Sequence, residues 1–268
     1  MRSIPDDNLA YPVLISVGTS STGTGFYLNT DEAIYLVTAK HVLIKQETGT
    51  PIDEKAILLS YSRDIIDKSQ NVLQLDLNVL LQSGNLVFHT KADVAAVKIL
   101  TMTPERVTHI VDGVTIQSRA HNGILGVHSP AVKLFSDVLV ANDVFIFGYP
   151  VSLGMKDIPQ IDYQRPLLRK GIIAGKNESL QTIILDCPVF PGNSGGPVLE
   201  VEQDGFELKF RVIGVVSQFI PIAETWLNTL FGYTNLSVGN SGYSVATPID
   251  FVLETISQLE QKECSTLK

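Results

Sequence analysis

A chain of 268 residues, 44% apolar and 18% charged, can bury one large core or two small barrels sharing an interface. Its composition has no mark of a disordered tail, a collagen repeat or a coiled coil. The formal charge of −8 argues against a nucleic-acid groove or a polybasic membrane anchor.

Residues Leu9 to Thr30 carry no charge, but only Leu9 to Val17 is strongly apolar, short of the roughly 20 residues that a spanning helix needs. Arg2 is followed by Asp6 and Asp7, unlike the basic start of an export signal. The segment reads as the first strands of the fold, with a hairpin over Gly18 to Gly25. Further strands are expected at Gly25 to Leu28, Ala33 to Thr38, Asn71 to Leu81 and Asp93 to Leu100. Leu73, Leu75, Leu77, Val79 and Leu81 alternate with polar residues at the period of a half-buried strand.

From Thr103 to Asn142 the chain is punctuated by Pro104, Gly113, Gly123, Gly126 and Pro130, which reads as a connection between two halves, with His121 and His128 solvated on it. Strands resume at Asp143 to Tyr149, Thr182 to Pro188, Arg211 to Gln218 and Tyr243 to Ala246. No helical pattern separates these strands, so the class is all-β rather than a parallel βαβ sheet. One helix is clear at the end: Thr247 as cap, Pro248 in the first turn, Asp250 where a capping-box acid sits. Ile249, Val252, Leu253, Ile256 and Leu259 share one face, and Gln261 to Lys268 reads as a frayed end.

The two cysteines, Cys187 and Cys264, lie far apart and form no C-x-x-C pair. Two free thiols and a reducing, cytoplasmic compartment are the expectation, with a single bridge as the other arrangement.

The sharpest chemical signal is Pro191-Gly192-Asn193-Ser194-Gly195-Gly196-Pro197. A nucleophilic serine needs a tight turn that exposes its oxygen, and donors for the oxyanion formed after attack. Flanking glycines let the amides of Gly192 and Ser194 turn toward one small space. A plain glycine-rich turn is the bland alternative. The motif also satisfies G-x-S-x-G, but the hydrolase elbow requires a histidine after the serine. Histidines stand at 41, 89, 109, 121 and 128, and none follows Ser194.

The remaining order is His, Asp, Ser. His41 ends the apolar run Ile34 to Val37, and Asp93 opens the run to Ile99. In a triad His41 would take the proton of Ser194, while Asp93 would fix the imidazole tautomer and stabilise the imidazolium. Each alone reads as an ordinary strand-end residue; three such segments in this order are much less common by chance.

Thr38-Ala39-Lys40-His41, Asp93-Val94-Ala95 and Gly192-Asn193-Ser194-Gly195-Gly196-Pro197 resemble the signature blocks of trypsin-like peptidases, and most closely the bacterial HtrA/Deg protease domain. Val144 to Pro150, Gly171-Ile172-Ile173, Asp186, Val212 to Val216 and Ser244 to Pro248 agree, so the resemblance runs from about Val17 to Leu259. It implies two antiparallel six-stranded β-barrels with a C-terminal α-helix, spanning about 9–115, 135–246 and 248–262. It also implies a catalytic triad of His41, Asp93 and Ser194 in a cleft between the barrels, and an oxyanion hole of Gly192 and Ser194.

The chain departs from its relatives in several places. No residues for a PDZ domain follow Leu259, no Ile-Val-Gly-Gly start is present, Asn193 precedes Ser194, and Val42 stands where secreted relatives carry a cysteine. Neither a tethered regulatory module nor zymogen activation is therefore expected.

By the same resemblance, Pro188, Ser217, Gln218, Phe219 and Ser244 would line the substrate pocket. Pro188 occupies the position where basic-specific relatives carry an acid, so a small or medium apolar P1 residue is expected. Ile220 to Gly242 holds Trp226, Leu227, Leu230, Phe231 and Tyr233, a heavy apolar load for a connection bordering a cleft. Packing onto the barrel is the bland reading, and a movable flap or partner patch at 220–242 the sharper one. The sequence shows no H-E-x-x-H, zinc-type Cys/His spacing or phosphate loop. No cofactor, metal, nucleic acid or membrane partner is expected, only a protein or peptide substrate. A serine endopeptidase is the leading reading; a catalytically inert binding scaffold and an esterase on the same fold are the alternatives.

Overall fold

The computed structural model describes residues 4–266, apart from 20, 65, 104–107, 122, 151–157, 164 and 206. Its first half is β1 (Pro12–Val17), β2 (Ser21–Asn29), β3 (Ala33–Thr38), a one-turn α1 (Lys40–Leu43), β4 (Lys55–Tyr61), β5 (Gln70–Asp76), α2 (Leu77–Gln82), β6 (Leu86–Phe88), β7 (Ala95–Met102), β8 (Thr108–Ile110), β9 (Val114–Ser118) and β10 (Gly126–His128). These ten strands form one sheet in the order β6-β7-β3-β2-β1-β4-β5-β9, with β8 added to β7 and β10 running parallel to β2. The second half is a closed barrel, β11-β12-β13-β16-β15-β14. Its strands are β11 (Asp143–Gly148), β12 (Leu167–Asn177), β13 (Thr182–Asp186), β14 (Pro197–Asp204), β15 (Glu207–Asn228) and β16 (Tyr233–Pro248). Helix α3 (Ile249–Thr266) follows.

Side chains alternate across a strand, and here both faces of the central strands are buried. Tyr27, Leu36 and Val97 point into the core of the first sheet, with Val13, Ile15, Leu58, Leu73 and Leu75. Their neighbours Phe26, Leu28, Tyr35, Val37 and Ala96 point the other way, onto Phe145, Phe147, Leu199, Val212 and Val215 of the barrel. This double burial explains why β3 and β7 read as nearly unbroken apolar runs. Val144, Ile146, Ile183, Leu185, Ile213 and Ala246 fill the barrel itself. Helix α3 lays Ile249, Val252, Ile256 and Leu259 over the seam, and the Tyr35 hydroxyl donates to Glu260 Oε1 at 3.0 Å.

The all-β, two-sheet architecture with a terminal helix matches the expectation, although the first sheet carries ten strands rather than six. Four local expectations are corrected. The strand read over Asn71 to Leu81 stops at Asp76, whose carboxylate accepts from the Val79 amide at 2.9 Å and caps α2. Leu77 and Leu80 are then buried at helical spacing, while Val79 faces out. The stretch read as a connection, Thr103 to Asn142, supplies β8, β9 and β10 to the first sheet. Asp250 does not close a capping box; its carboxylate accepts from the Phe135 amide at 2.9 Å. The helix continues past Gln261 to Thr266. His121 and His128 are exposed as read, although His121 also meets Asp67 at 3.3 Å. Cys187 is a buried free thiol, and the side chain of Cys264 lies outside the described residues.

Candidate active site

His41 is delivered by the single turn of α1, which starts as soon as β3 leaves the sheet. Asp93 arrives on the bend before β7. The two meet twice: Asp93 Oδ1 accepts from the His41 backbone amide at 3.0 Å, and Oδ2 faces His41 Nδ1 at 2.6 Å. Burial pushes the Asp93 carboxyl up, but the hydrogen bonds and charge of His41, with the Ser217 hydroxyl, outweigh it and hold the group below its ordinary value. With Nδ1 donating to the carboxylate, Nε2 is the imidazole nitrogen left to accept a proton.

The bend carrying Asp93 is itself fixed by His89, which the sequence did not single out. His89 Nδ1 accepts from the amides of Lys91 at 3.2 Å and Ala92 at 2.8 Å. Its Nε2 lies 3.2 Å from Glu254 of α3. The buried ring thus ties the bend to the terminal helix.

Ser194 sits on the turn between β13 and β14. Gly192 and Gly195 adopt φ of 96° and 88°, the left-handed region that favours glycine. A Cβ on Gly195 would lie 2.0 Å from the Thr24 carbonyl oxygen and 2.1 Å from Thr38 Oγ1, so only glycine fits. Asn193 braces the turn: its amide donates to the Phe190 carbonyl at 2.9 Å, and its Oδ1 accepts from the Phe190 amide at 3.0 Å. The amides of Gly192 and Ser194 have no protein acceptor among the described residues. Two donors beside a serine hydroxyl are what a developing oxyanion requires.

Thr24, on β2 of the first sheet, is bonded into this turn. Its amide donates to the Ser194 carbonyl at 2.9 Å, and its hydroxyl donates to the Gly192 carbonyl at 2.6 Å while accepting from the Tyr149 amide at 3.0 Å.

Ser217, read as a pocket residue, also touches two of the three chemistry-bearing side chains. The register of β15 on β16 skips it, passing from Val216 to Gln218. This bulge frees its polar groups from the ladder. Its carbonyl accepts from the Ser194 hydroxyl at 3.4 Å, and its own hydroxyl donates to Asp93 Oδ2 at 3.3 Å. Among the described residues Ser194 makes no hydrogen bond to His41; catalytic hydrogen bonds are often loose before substrate arrives.

The other pocket residues gather beside the turn. Phe219 pairs with Ser244, and Gln218 with Val245, where β15 and β16 leave the barrel. The buried Ser244 hydroxyl donates to the Cys187 carbonyl at 2.8 Å, just before the half-buried Pro188. Asn240, which no sequence motif marks, donates to the Val189 carbonyl at 2.7 Å. Burial pushes the Cys187 thiol up to about 11, a structural rather than a reactive cysteine. No cluster of potential metal ligands occurs among the described residues.

A sheet and a barrel with a serine, a histidine and an aspartate converging at their seam define the class. The family model described as trypsin-like peptidase domain matches residues 23–206, a span that includes all three, and the chain belongs to that family. Similar solved structures include a serine endoprotease from Yersinia pestis, 14% identical with a TM-score of 0.51, covering 96% of this chain and 68% of that one. Deg5 is 18% identical with a TM-score of 0.51, covering 94% and 90% of the two chains. The protease Anisep from Arthrobacter nicotinovorans is 12% identical with a TM-score of 0.53, covering 94% and 95%. At these identities the likeness is one of fold. No curated protein matches the sequence.

Proposed function

We propose that the chain is a serine endopeptidase acting through His41, Asp93 and Ser194. The observation that carries this reading is the two-point grip of Asp93 on His41 beside a serine flanked by two unused amides. In this mechanism Ser194 Oγ attacks the scissile carbonyl carbon as its proton passes to His41 Nε2. The carbonyl oxygen becomes an oxyanion held by the amides of Gly192 and Ser194. His41 then gives the proton to the leaving nitrogen, the C–N bond breaks, and an acyl ester on Ser194 remains. Water, deprotonated by His41, releases the acid and restores the serine.

The pocket walls support a small or medium apolar P1 residue: Pro188 supplies no carboxylate, and Phe219 stands at the edge. A reducing, intracellular setting accords with the buried free thiol of Cys187.

The test is labelling by a fluorophosphonate probe, with Ser194→Ala and His41→Ala as controls. Labelling of the wild type alone, with cleavage of apolar-P1 peptides, is the expected result. Equal labelling of Ser194→Ala would refute the nucleophile, and a cleavage profile dominated by Arg or Lys would refute the pocket. Loss of the nucleophile or of the base costs on the order of 10⁶ in turnover, so the contrast is large.

A further inference from the structure

The connection over 220–242 stands clear of the barrel between Ile222 and Val238, while its base is bonded to the barrel half through Asn240. Beyond the second bulge of β15, between Phe219 and Pro221, the strands leave the barrel as a two-stranded arm paired without interruption from Pro221↔Asn240 to Asn228↔Tyr233. Trp226, Leu227, Leu230, Phe231, Tyr233, Leu236 and Val238 are 57% to 83% exposed along it. A lone two-stranded hairpin is marginal in water, and such an array exposes on the order of 1,000 Å² of side chain over its two faces and its tip.

The register sorts the arm into unlike faces. One carries Ala223, Thr225, Leu227, Thr234, Leu236 and Val238, with no charge at all. Glu224, on the other face, is the only charged residue between Ile220 and Gly242 in a chain of net charge −8. The outer edge of β16 over 233–240 has no strand partner among the described residues. It is also free of register shifts, without proline and without charge, and so lacks the bulge, proline and charge that protect an edge from pairing. The free edges of the first sheet are by contrast short, with three residues in β6 and five in β9.

We propose that this edge pairs with its equal on a second copy of the chain. Antiparallel pairing about a two-fold axis at Ser237 makes a four-stranded sheet and sets Leu236 of each copy against Val238 of the other on the uncharged face. Two observations select this occupant. A free, uncharged edge is self-complementary in antiparallel pairing. With Glu224 as its one charge, the arm brings two acidic chains together with little repulsion. A lipid surface is the weaker fit, because the arm carries no Lys or Arg.

The test is sedimentation of the full chain, whose mass is 29.2 kDa, from sub-micromolar to tens of micromolar protein. The wild type is expected to reach twice that mass. The double variant Leu236→Lys, Val238→Lys, folded by its melting curve, should shift the dimerisation midpoint up by about 30-fold or more. In a Cys264→Ser background, Ser237→Cys should cross-link two chains under mild oxidation. A monomer throughout, or a dimer unchanged in the lysine variant, overturns the proposal. So does a monomer that binds neutral phosphatidylcholine vesicles through the arm. None of these readouts depends on peptidase activity.

Discussion

Asp93 holds His41 by backbone and ring together, its two carboxylate oxygens 3.0 Å from the His41 amide and 2.6 Å from Nδ1. The grip fixes the position of the imidazole as well as its tautomer. Asp93→Asn should lower kcat by about 10⁴-fold while leaving the fold intact, measured on the peptide that the wild type cleaves best. Stability should change with pH as well. The folded-state pKa of Asp93 lies below its ordinary 3.8, so its contribution is present above that value and lost as pH falls through the folded one. Acid titrations of stability should therefore be shallower in Asp93→Asn.

His89 sets the bend from behind. Removing it by His89→Ala leaves the amides of Lys91 and Ala92 unpaired and lets Asp93 drift. The expected result is a fall in kcat of about 10²-fold with KM little changed. His89→Asn, whose side-chain oxygen can accept from the same amides, should recover most of the loss. A merely structural role for the ring would move stability and leave this split absent.

Gly195→Ala is predicted to be the most damaging single methyl in the chain. It would force a left-handed φ of 88° on alanine and drive a carbon into the Thr24 carbonyl and the Thr38 hydroxyl. Urea unfolding should show a loss of more than about 4 kcal/mol, or no soluble protein.

Lys133 is 9% exposed and meets Glu200 Oε1 at 3.0 Å and the Glu202 carboxylate, while Glu200 is fully buried on β14. Lys133→Met strands a buried acid and should cost about 3–5 kcal/mol at neutral pH; adding Glu200→Gln should recover much of it. Burial pulls the Lys133 ammonium down, but hydrogen bonds and charge from Glu202 and Glu200 outweigh it and raise the group above 10.5. Its contribution is thus complete below pH 10.5 and lost as pH rises through the folded value. The stability gap between wild type and Lys133→Met should narrow in that alkaline range.

Much of this was legible in advance because burial on both faces leaves a composition signature. Ala33 to Thr38 was read to the residue, and it is the strand buried between two cores. The blocks around His41, Asp93 and Ser194 could be singled out because few residue types suit a nucleophile turn and its partners. What escaped depends on context. The alternation of Leu73 to Leu81 hid a helix because one carboxylate, Asp76, captures an amide and changes the period. The contacts of Ser217 with Ser194 and Asp93 escaped because a bulge cannot be seen without its partner strand. His89 and Asn240 hold loops through backbone atoms, and such contacts leave no pattern of spacing. The arm left two readings open, packing material or a flap or partner patch, because apolar composition does not say against what a side chain is packed.

Thr24 has a consequence for the timing of synthesis. The first half of the chain emerges with His41 and Asp93 before the turn bearing Ser194 is made, and Thr24 of that half supplies two of the bonds that hold the turn, to the Ser194 and Gly192 carbonyls. On the proposed mechanism a nascent or half-folded chain therefore has no working blade, and competence to cut arrives with the docking of the two halves.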